Sequence, residues 1–405
     1  MESIRELYKI GKGPSSSHTM GPKRAAETFA ERNPTASAFR VTLYGSLAAT
    51  GKGHMTNIAI LEVLRPLAPT ELVWRCDIVL DFHPNGMKFE AFDGEAVSDE
   101  WTVFSVGGGT IASSAEDISR NSIYPDTTMS EIIEWCDHEG ATFWEYVEKY
   151  EGKEIWDYLH TIWEAMKLSI ERGLDTEGVL PGGLGIRRKA VSYYIKSKGY
   201  NGTLNSRGKL YAYALAVSEE NAAGGDIVTA PTCGSCGVLP AVLYYLYVNK
   251  EFREIRILQA LATAALFGNI AKANASISGA EVGCQGEIGV ACAMAAAASC
   301  QLFGGTLAQI EYAAEMALEH HLGLTCDPVC GLVQVPCIER NAVAAARALD
   351  SNIYATYSDG KHMVSYDRVV EVMKVTGQDL PSLYRETSVG GLAKDGDIRV
   401  KPKKK

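Results

Sequence analysis

The segment Ile288-Gly-Val-Ala-Cys-Ala-Met-Ala-Ala-Ala-Ala-Ser-Cys300 carries no charge and almost no bulk. It sits in an uncharged run from Ile288 to Ile310 that is mostly Ala, Gly, Ser and Cys and gains little from entering lipid. Such a stretch reads as a buried helix that its neighbours approach closely. A second uncharged run, Ile227 to Asn249, is interrupted by Pro231, Gly234, Gly237 and Pro240 and reads the same way. Working back along the chain, Met129–Tyr150 and Lys153–Arg172 place Trp, Tyr, Ile and Leu at three-to-four spacing, the helical period. A Gly-rich break at Gly178–Gly185 follows, and beyond it no strand is expected. Ahead of residue 120 the pattern differs. Phe39–Tyr44, Leu72–Phe82 and Trp101–Val106 read as strands, with helices over Gly21–Arg32 and Asn57–Leu64 between them. The expected fold class is α+β: an N-terminal α/β domain over 1–125, an all-helical C-terminal domain over 126–393 and a basic tail over 394–405.

Composition narrows the classes. Of 405 residues, 46% are hydrophobic and 22% charged, which excludes a disordered or collagen-like chain. The formal charge is −10, although residues 394–405 carry six Lys/Arg against two Asp, so a nucleic-acid partner bound through a basic surface is not expected. The opening MESIRELYKIGKG has no apolar run, so neither a signal peptide nor a membrane partner is expected, and the location reads as cytoplasmic.

The cysteines are unevenly placed. Eight of the ten fall between Cys233 and Cys337, a clustering that in a reducing compartment favours metal ligation or catalysis over disulfides. Cys284 lies in the Gly-rich stretch Gly279–Gly289, Cys326 precedes Asp327-Pro328, and Cys337 follows Val335-Pro336 at a helix start. Three thiolates from separate loops could hold a [4Fe–4S] cluster by three corners, leaving one iron open as a Lewis acid. Structural zinc is the rival, at four ligands. Cys233-x-x-Cys236 alone is compatible with zinc, redox or cluster chemistry. Cys292 and Cys300, eight apart in an Ala-rich helix, read as small buried side chains.

Two loops in the first domain carry the remaining chemistry. In Gly13-Pro-Ser-Ser-Ser-His-Thr-Met-Gly-Pro22, hydroxyls and an imidazole precede a helix expected near Lys23. Ser15, Ser17 and Thr19 there suit a carboxylate, with helix N–H groups behind them. In Tyr44-Gly-Ser-Leu-Ala-Ala-Thr-Gly-Lys-Gly-His-Met-Thr56 a strand runs into a Gly-rich loop bearing Lys52 and His54, without the glycine spacing of a nucleotide loop. His18 and His54 are the natural proton carriers near neutral pH.

Taken in order, SSSHTMGP, LYGSLAATGKGH, GVLPGGL, EENAAGGDIVTAPT, GCQGEIGVACAMAAAA, CDPVCGLVQVPCIERN and ETSVGGLA span nearly the whole chain. Through them the sequence resembles the iron–sulfur-dependent L-serine dehydratases (L-serine ammonia-lyases) of single-chain type. The resemblance implies a [4Fe–4S] cluster on Cys284, Cys326 and Cys337. It also implies an N-terminal domain similar to the allosteric substrate-binding domain of some phosphoglycerate dehydrogenases, a homodimer, and a role in amino-acid catabolism and gluconeogenesis through pyruvate. The reaction expected is β-elimination of water from L-serine, giving pyruvate and ammonia without pyridoxal phosphate. In that reading His54 is the first choice of base and His18 the second, with Ser15, Ser17, Thr19 and Lys52 on the substrate.

Two departures stand out. Many single-chain relatives end in a cysteine that folds back onto the cluster, whereas no Cys follows Cys337 here, so that arrangement is not expected. Relatives also often carry other residues where this chain has Cys233, Cys236 and Cys330, which leaves a resting fourth ligand or simple packing open for them. Alternatives to L-serine dehydration are a related lyase acting mainly on L-threonine or L-cysteine, and a non-catalytic amino-acid-binding protein.

Overall fold

A computed structural model describes residues 1–114 and 122–394. Its first strand, Ile10–Lys12 (β1), is followed by Gly21–Arg32 (α1), Ala38–Tyr44 (β2), Gly45–Thr50 (α2), Thr56–Leu64 (α3), Thr70–Arg75 (β3), Gly86–Asp93 (β4), Ala96–Ser105 (β5) and Ile111–Ala112 (β6). Strands β2 to β6 form one sheet in the order β3-β2-β4-β5-β6, parallel between β2 and β3 and antiparallel elsewhere. The parallel pair requires the crossover that α2 and α3 supply. Alternation along β2 buries Phe39, Val41 and Leu43 on one face, and Met87, Phe89 and Ala91 of β4 join them there. Phe29 of α1 and Ile60 of α3 close over this face. Each large apolar side chain so buried contributes about 1.5–3 kcal/mol.

The helical part comprises Met129–Glu139 (α4), Phe143–Glu151 (α5), Ile155–Asp175 (α6), Ala190–Ser197 (α7), Gly202–Ala222 (α8), Val238–Lys250 (α9), Glu254–Asn274 (α10), Gly279–Val282 (α11), Ile288–Leu302 (α12), Leu307–Glu319 (α13), Cys337–Tyr357 (α14) and Tyr366–Asp379 (α15). Every residue of α12 from Ile288 to Cys300 is buried, with α9, α10, α13 and α14 packed around it. Small side chains bring the backbones close: the Cys292 thiol on α12 donates to the Ala344 carbonyl on α14 at 3.2 Å. Among the described residues no single helix is long and apolar enough to cross a membrane. The bent pair Gly279–Gln285 and Ile288–Leu302 meets that test by length and composition only.

Several expectations are corrected. Met129–Tyr150 is two helices, because Gly140 ends α4 in the left-handed region (φ 64°) and Thr142 with Glu145 caps α5. The strand expected over Leu72–Phe82 stops at Arg75, and the sheet is completed by β4, which the sequence reading passed over. The helical part also holds one short strand, Asp226–Val228 (β7), antiparallel to β1 with Ile10 opposite Val228. It forms where Gly224 and Gly225 release the chain from α8, and the Gly13 N–H donates to the Gly225 carbonyl at 3.2 Å. Upstream of β1, Ile4, Leu7 and Tyr8 are fully buried in the helical core, and the Tyr8 hydroxyl donates to the Leu261 carbonyl at 2.9 Å. Residues 395–405 of the basic tail lie outside the described residues.

Candidate active site

The three singled-out cysteines reach one place by different routes. Cys284 lies in a single 3-10 turn, Gly283–Gln285, that leads into α12. Cys326 is in an extended segment whose N–H donates to the Tyr384 carbonyl at 2.8 Å and whose carbonyl accepts from the Glu386 N–H at 2.7 Å. Cys337 is the first residue of α14. Together with Pro14, Ser15, His54, Gly234, Glu287, Pro328, Val333 and Glu386 they line one small, tightly closed cavity. Glu287, just ahead of α12, places Oε2 at 3.8 Å from the Cys284 Sγ and 4.0 Å from the Cys326 Sγ, while Oε1 accepts from the Thr232 hydroxyl at 2.7 Å.

This donor set fits a metal centre. The thiols of Cys326 and Cys337 are pushed well above the ordinary thiol range, the first by a thiol–thiol hydrogen bond with Cys284 and then by burial, the second by burial and then by Cys284. Burial likewise raises the Glu287 carboxyl. Such a cluster of buried acids is stable as anions only with a cation among them. Room is kept for one: a Cβ on Gly279 would stand 2.8 Å from Glu287 Oε2 and 3.1 Å from the Cys326 Sγ.

Positioning groups surround the thiols. The Asn341 amide donates to the Gly234 and Cys337 carbonyls at 2.8 and 2.9 Å, and its oxygen accepts from the Gly237 N–H at 2.9 Å. Arg340 donates to the Thr325 carbonyl at 2.7 Å. Glu339, between them and Cys337 in sequence, instead points to solvent and pairs with Lys189.

The N-terminal loops form the opposite wall. Ser16–Met20 is not the irregular loop expected from sequence but a π-helical turn continuous with α1, which starts at Gly21. The wider turn carries His18 inward. Its Nδ1 is 2.9 Å from the Ser17 hydroxyl and its Nε2 3.2 Å from that of Ser46. After β2 the chain also makes a short helix before the Gly51–Met55 loop, and this brings His54 under the turn. The two imidazoles meet edge to face at 4.5 Å. Both are fully buried, and burial first of all lowers their proton affinity, that of His54 to about 4 and that of His18 well below the ordinary imidazole range. Neither ring nitrogen of His54 has a hydrogen-bond partner.

The remaining expected residues divide. Ser15 lines the cavity, and its hydroxyl accepts from the His18 N–H at 3.1 Å. Ser17 is turned to His18, and the Thr19 hydroxyl donates to the His54 carbonyl at 2.7 Å, so both hold imidazoles. Lys52 is exposed, stacks over Trp74 at 5.5 Å and is not on the cavity. Cys233 and Cys236 are buried outside the cavity lining, the former thiol 3.5 Å from the Met20 sulfur, and Cys330 is exposed. Two cavity residues were missed, Glu287 and Glu386. The available signal was a lone carboxylate inside each of two otherwise uncharged motifs, GCQGEIG and ETSVGG.

Glu386 closes the site from the C-terminal side. One carboxylate oxygen lies 3.4 Å from His18 Nδ1, and its backbone carbonyl accepts from the Ser46 hydroxyl at 3.0 Å. Its other oxygen is buried without a partner. Burial, then Glu287 and Cys284, raise its carboxyl well above the ordinary range.

A mixed α/β chain in which three buried thiols share a cavity with a buried imidazole, itself packed on a second one, defines a class of two-part fold with a thiol-lined internal site. The serine dehydratase beta chain family matches residues 3–72, and the serine dehydratase alpha chain family matches residues 82–393. The L-serine dehydratase TdcG of Escherichia coli is 41% identical, covering 97% of this chain and 99% of that protein. The L-serine dehydratase of Streptomyces coelicolor is 41% identical over 96% of this chain and 98% of its own, and that of Helicobacter pylori 38% identical over 97% and 98%. The chain belongs to the serine dehydratase family, with beta-type and alpha-type regions joined in that order.

Proposed function

We propose that this protein is an L-serine ammonia-lyase that removes water from L-serine by β-elimination and yields pyruvate and ammonia. The observation that carries the reading is the meeting of Cys284, Cys326, Cys337 and His54 on one cavity. In it the three cysteines hold a [4Fe–4S] cluster, which when bound supplies an open Lewis-acidic iron for the substrate hydroxyl.

The chain's own groups do the rest. Ser15, at the start of the Ser16–Met20 turn, takes the substrate carboxylate with its hydroxyl and the adjacent backbone N–H groups. His54, neutral and unpartnered, accepts the Cα proton on a ring nitrogen. His18 keeps the His54 ring in place by edge contact, and Thr19 fixes the His54 backbone. The walls exclude water, so the proton stays with the imidazole until product leaves. The enamine released tautomerises and hydrolyses to pyruvate and ammonia without help from the protein. A cytoplasmic homodimer is the working state.

The test is a substrate panel on anaerobically purified holoenzyme. Pyruvate from L-serine, at a kcat/KM above that for L-threonine and L-cysteine, supports the reading. A higher kcat/KM on either rival moves the assignment to a related lyase, and binding of L-serine without turnover moves it to a sensor.

A further inference from the structure

We propose that Glu386 is the recognition group for the substrate's α-ammonium and sets the preference for amino acids over hydroxy acids. The inference rests on the reading above, in that the ligand is a small β-hydroxy α-amino acid.

Such a ligand carries a carboxylate, a hydroxyl and an ammonium. An ammonium enters a buried cavity at tolerable cost only where buried acceptor oxygens meet its N–H groups. The cavity offers two carboxylates. Glu287 is already engaged, with one oxygen on the Thr232 hydroxyl and the other against the thiols of Cys284 and Cys326. Glu386 is different. It is only 6% exposed, and its Oε2 has no hydrogen-bond partner.

The backbone holds that carboxylate still. Glu386 sits in the left-handed region at φ 56°, its N–H donates to the Cys326 carbonyl, and its carbonyl accepts from Ser46. Its backbone is thus pinned both to a thiol-bearing segment and to the N-terminal region. An ammonium donating to Oε2 would satisfy the orphan oxygen. With the carboxylate at Ser15, the hydroxyl toward the thiols and the Cα hydrogen toward His54, the four substituents of Cα then have four separate destinations. Four-point contact of this kind also discriminates handedness.

The test compares wild type with Glu386→Gln and Glu386→Asp in anaerobic holoenzyme matched for iron content. Three ligands are used: L-serine (KM and kcat), 3-hydroxypropanoate, which is serine without its ammonium (Ki), and L-alanine, which keeps the ammonium and cannot lose water (calorimetric Kd, against propanoate). Glu386→Gln is expected to weaken L-serine and L-alanine at least about tenfold, while 3-hydroxypropanoate and propanoate bind as before or better. Glu386→Asp, which keeps the carboxyl but withdraws it, should retain part of the discrimination, and makes the same comparison if the Gln variant fails to fold. Equal weakening of all ligands, or a fall in kcat with the preference for the ammonium intact, overturns the proposal. Wild type that binds L-alanine in preference to propanoate but makes no pyruvate contradicts the dehydratase reading and leaves the role of Glu386 to be decided by the binding arm.

Discussion

The rings of His18 and His54 meet edge to face at 4.5 Å, although they come from loops 36 positions apart and both are fully buried. Each is held by a partner on the other's loop: the Thr19 hydroxyl donates to the His54 carbonyl, and the Thr56 hydroxyl to that of His18. Reciprocal bonds of this kind make the pair one rigid unit, so a base can be aimed by packing rather than by a hydrogen bond to its own ring.

Loss of one such bond should show in turnover. Thr19→Val keeps the volume but removes the donor, leaving the His54 carbonyl unpaired. Stability should fall by about 1 kcal/mol and kcat by about tenfold, with KM little changed. Chemical denaturation and steady-state kinetics read the two effects separately.

Burial of neutral imidazoles also sets a pH dependence. The native pKa of His54, about 4, lies below its ordinary 6.5, so the unfolded chain binds more protons between those values. The contribution is fully present above 6.5 and is lost as pH falls toward 4. Thermal melts of the protein should therefore show stability rising with pH across that window, with a shallower slope in His54→Gln. Activity should lack a limb near pH 6.5 arising from His54.

The proposed ligation predicts different outcomes for different cysteines. Cys284→Ala and Cys337→Ala should each lose iron and activity together. Cys330→Ala, altering an exposed side chain away from the cavity, should keep both. Iron analysis of anaerobically purified variants decides the matter.

Space beside the thiols is equally specific. Gly279→Ala would push a methyl to 2.8 Å from Glu287 Oε2 and 3.1 Å from the Cys326 Sγ. Iron content should drop while the helical circular-dichroism signal is retained. Lys52→Ala, by contrast, should leave KM for L-serine within about twofold, since that side chain lies over Trp74 in solvent and at most a weak exposed cation–π contact is lost.

How far the residues themselves announced this arrangement depends on the kind of signal. Helix α1 and strand β2 were legible because period and punctuation agree: Gly21-Pro22 opens one, and Phe39, Val41 and Leu43 alternate in the other. Strand β4 was not, since Met87-Lys-Phe-Glu-Ala-Phe92 follows a Pro/Asn/Gly turn that obscured the alternation. Cys284, Cys326 and Cys337 stood out by lying in Gly- or Pro-marked segments, two of them at the start of a helix. Glu287 and Glu386 did not, because a carboxylate in sequence looks solvated, and only tertiary contact with Thr232, Cys326 and Ser46 buries these two. Lys52 erred the opposite way, its neighbour His54 turning inward while the lysine turned out.

The most direct measurement counts iron and sulfide in the same anaerobic sample that is assayed for pyruvate release from L-serine. Turnover should rise in proportion to cluster content, approach its limit at about four irons per chain, and vanish with the iron on exposure to air. An iron-free sample that still forms pyruvate, or a fully loaded one that leaves L-serine untouched, would contradict the assignment of Cys284, Cys326 and Cys337 to a catalytic cluster.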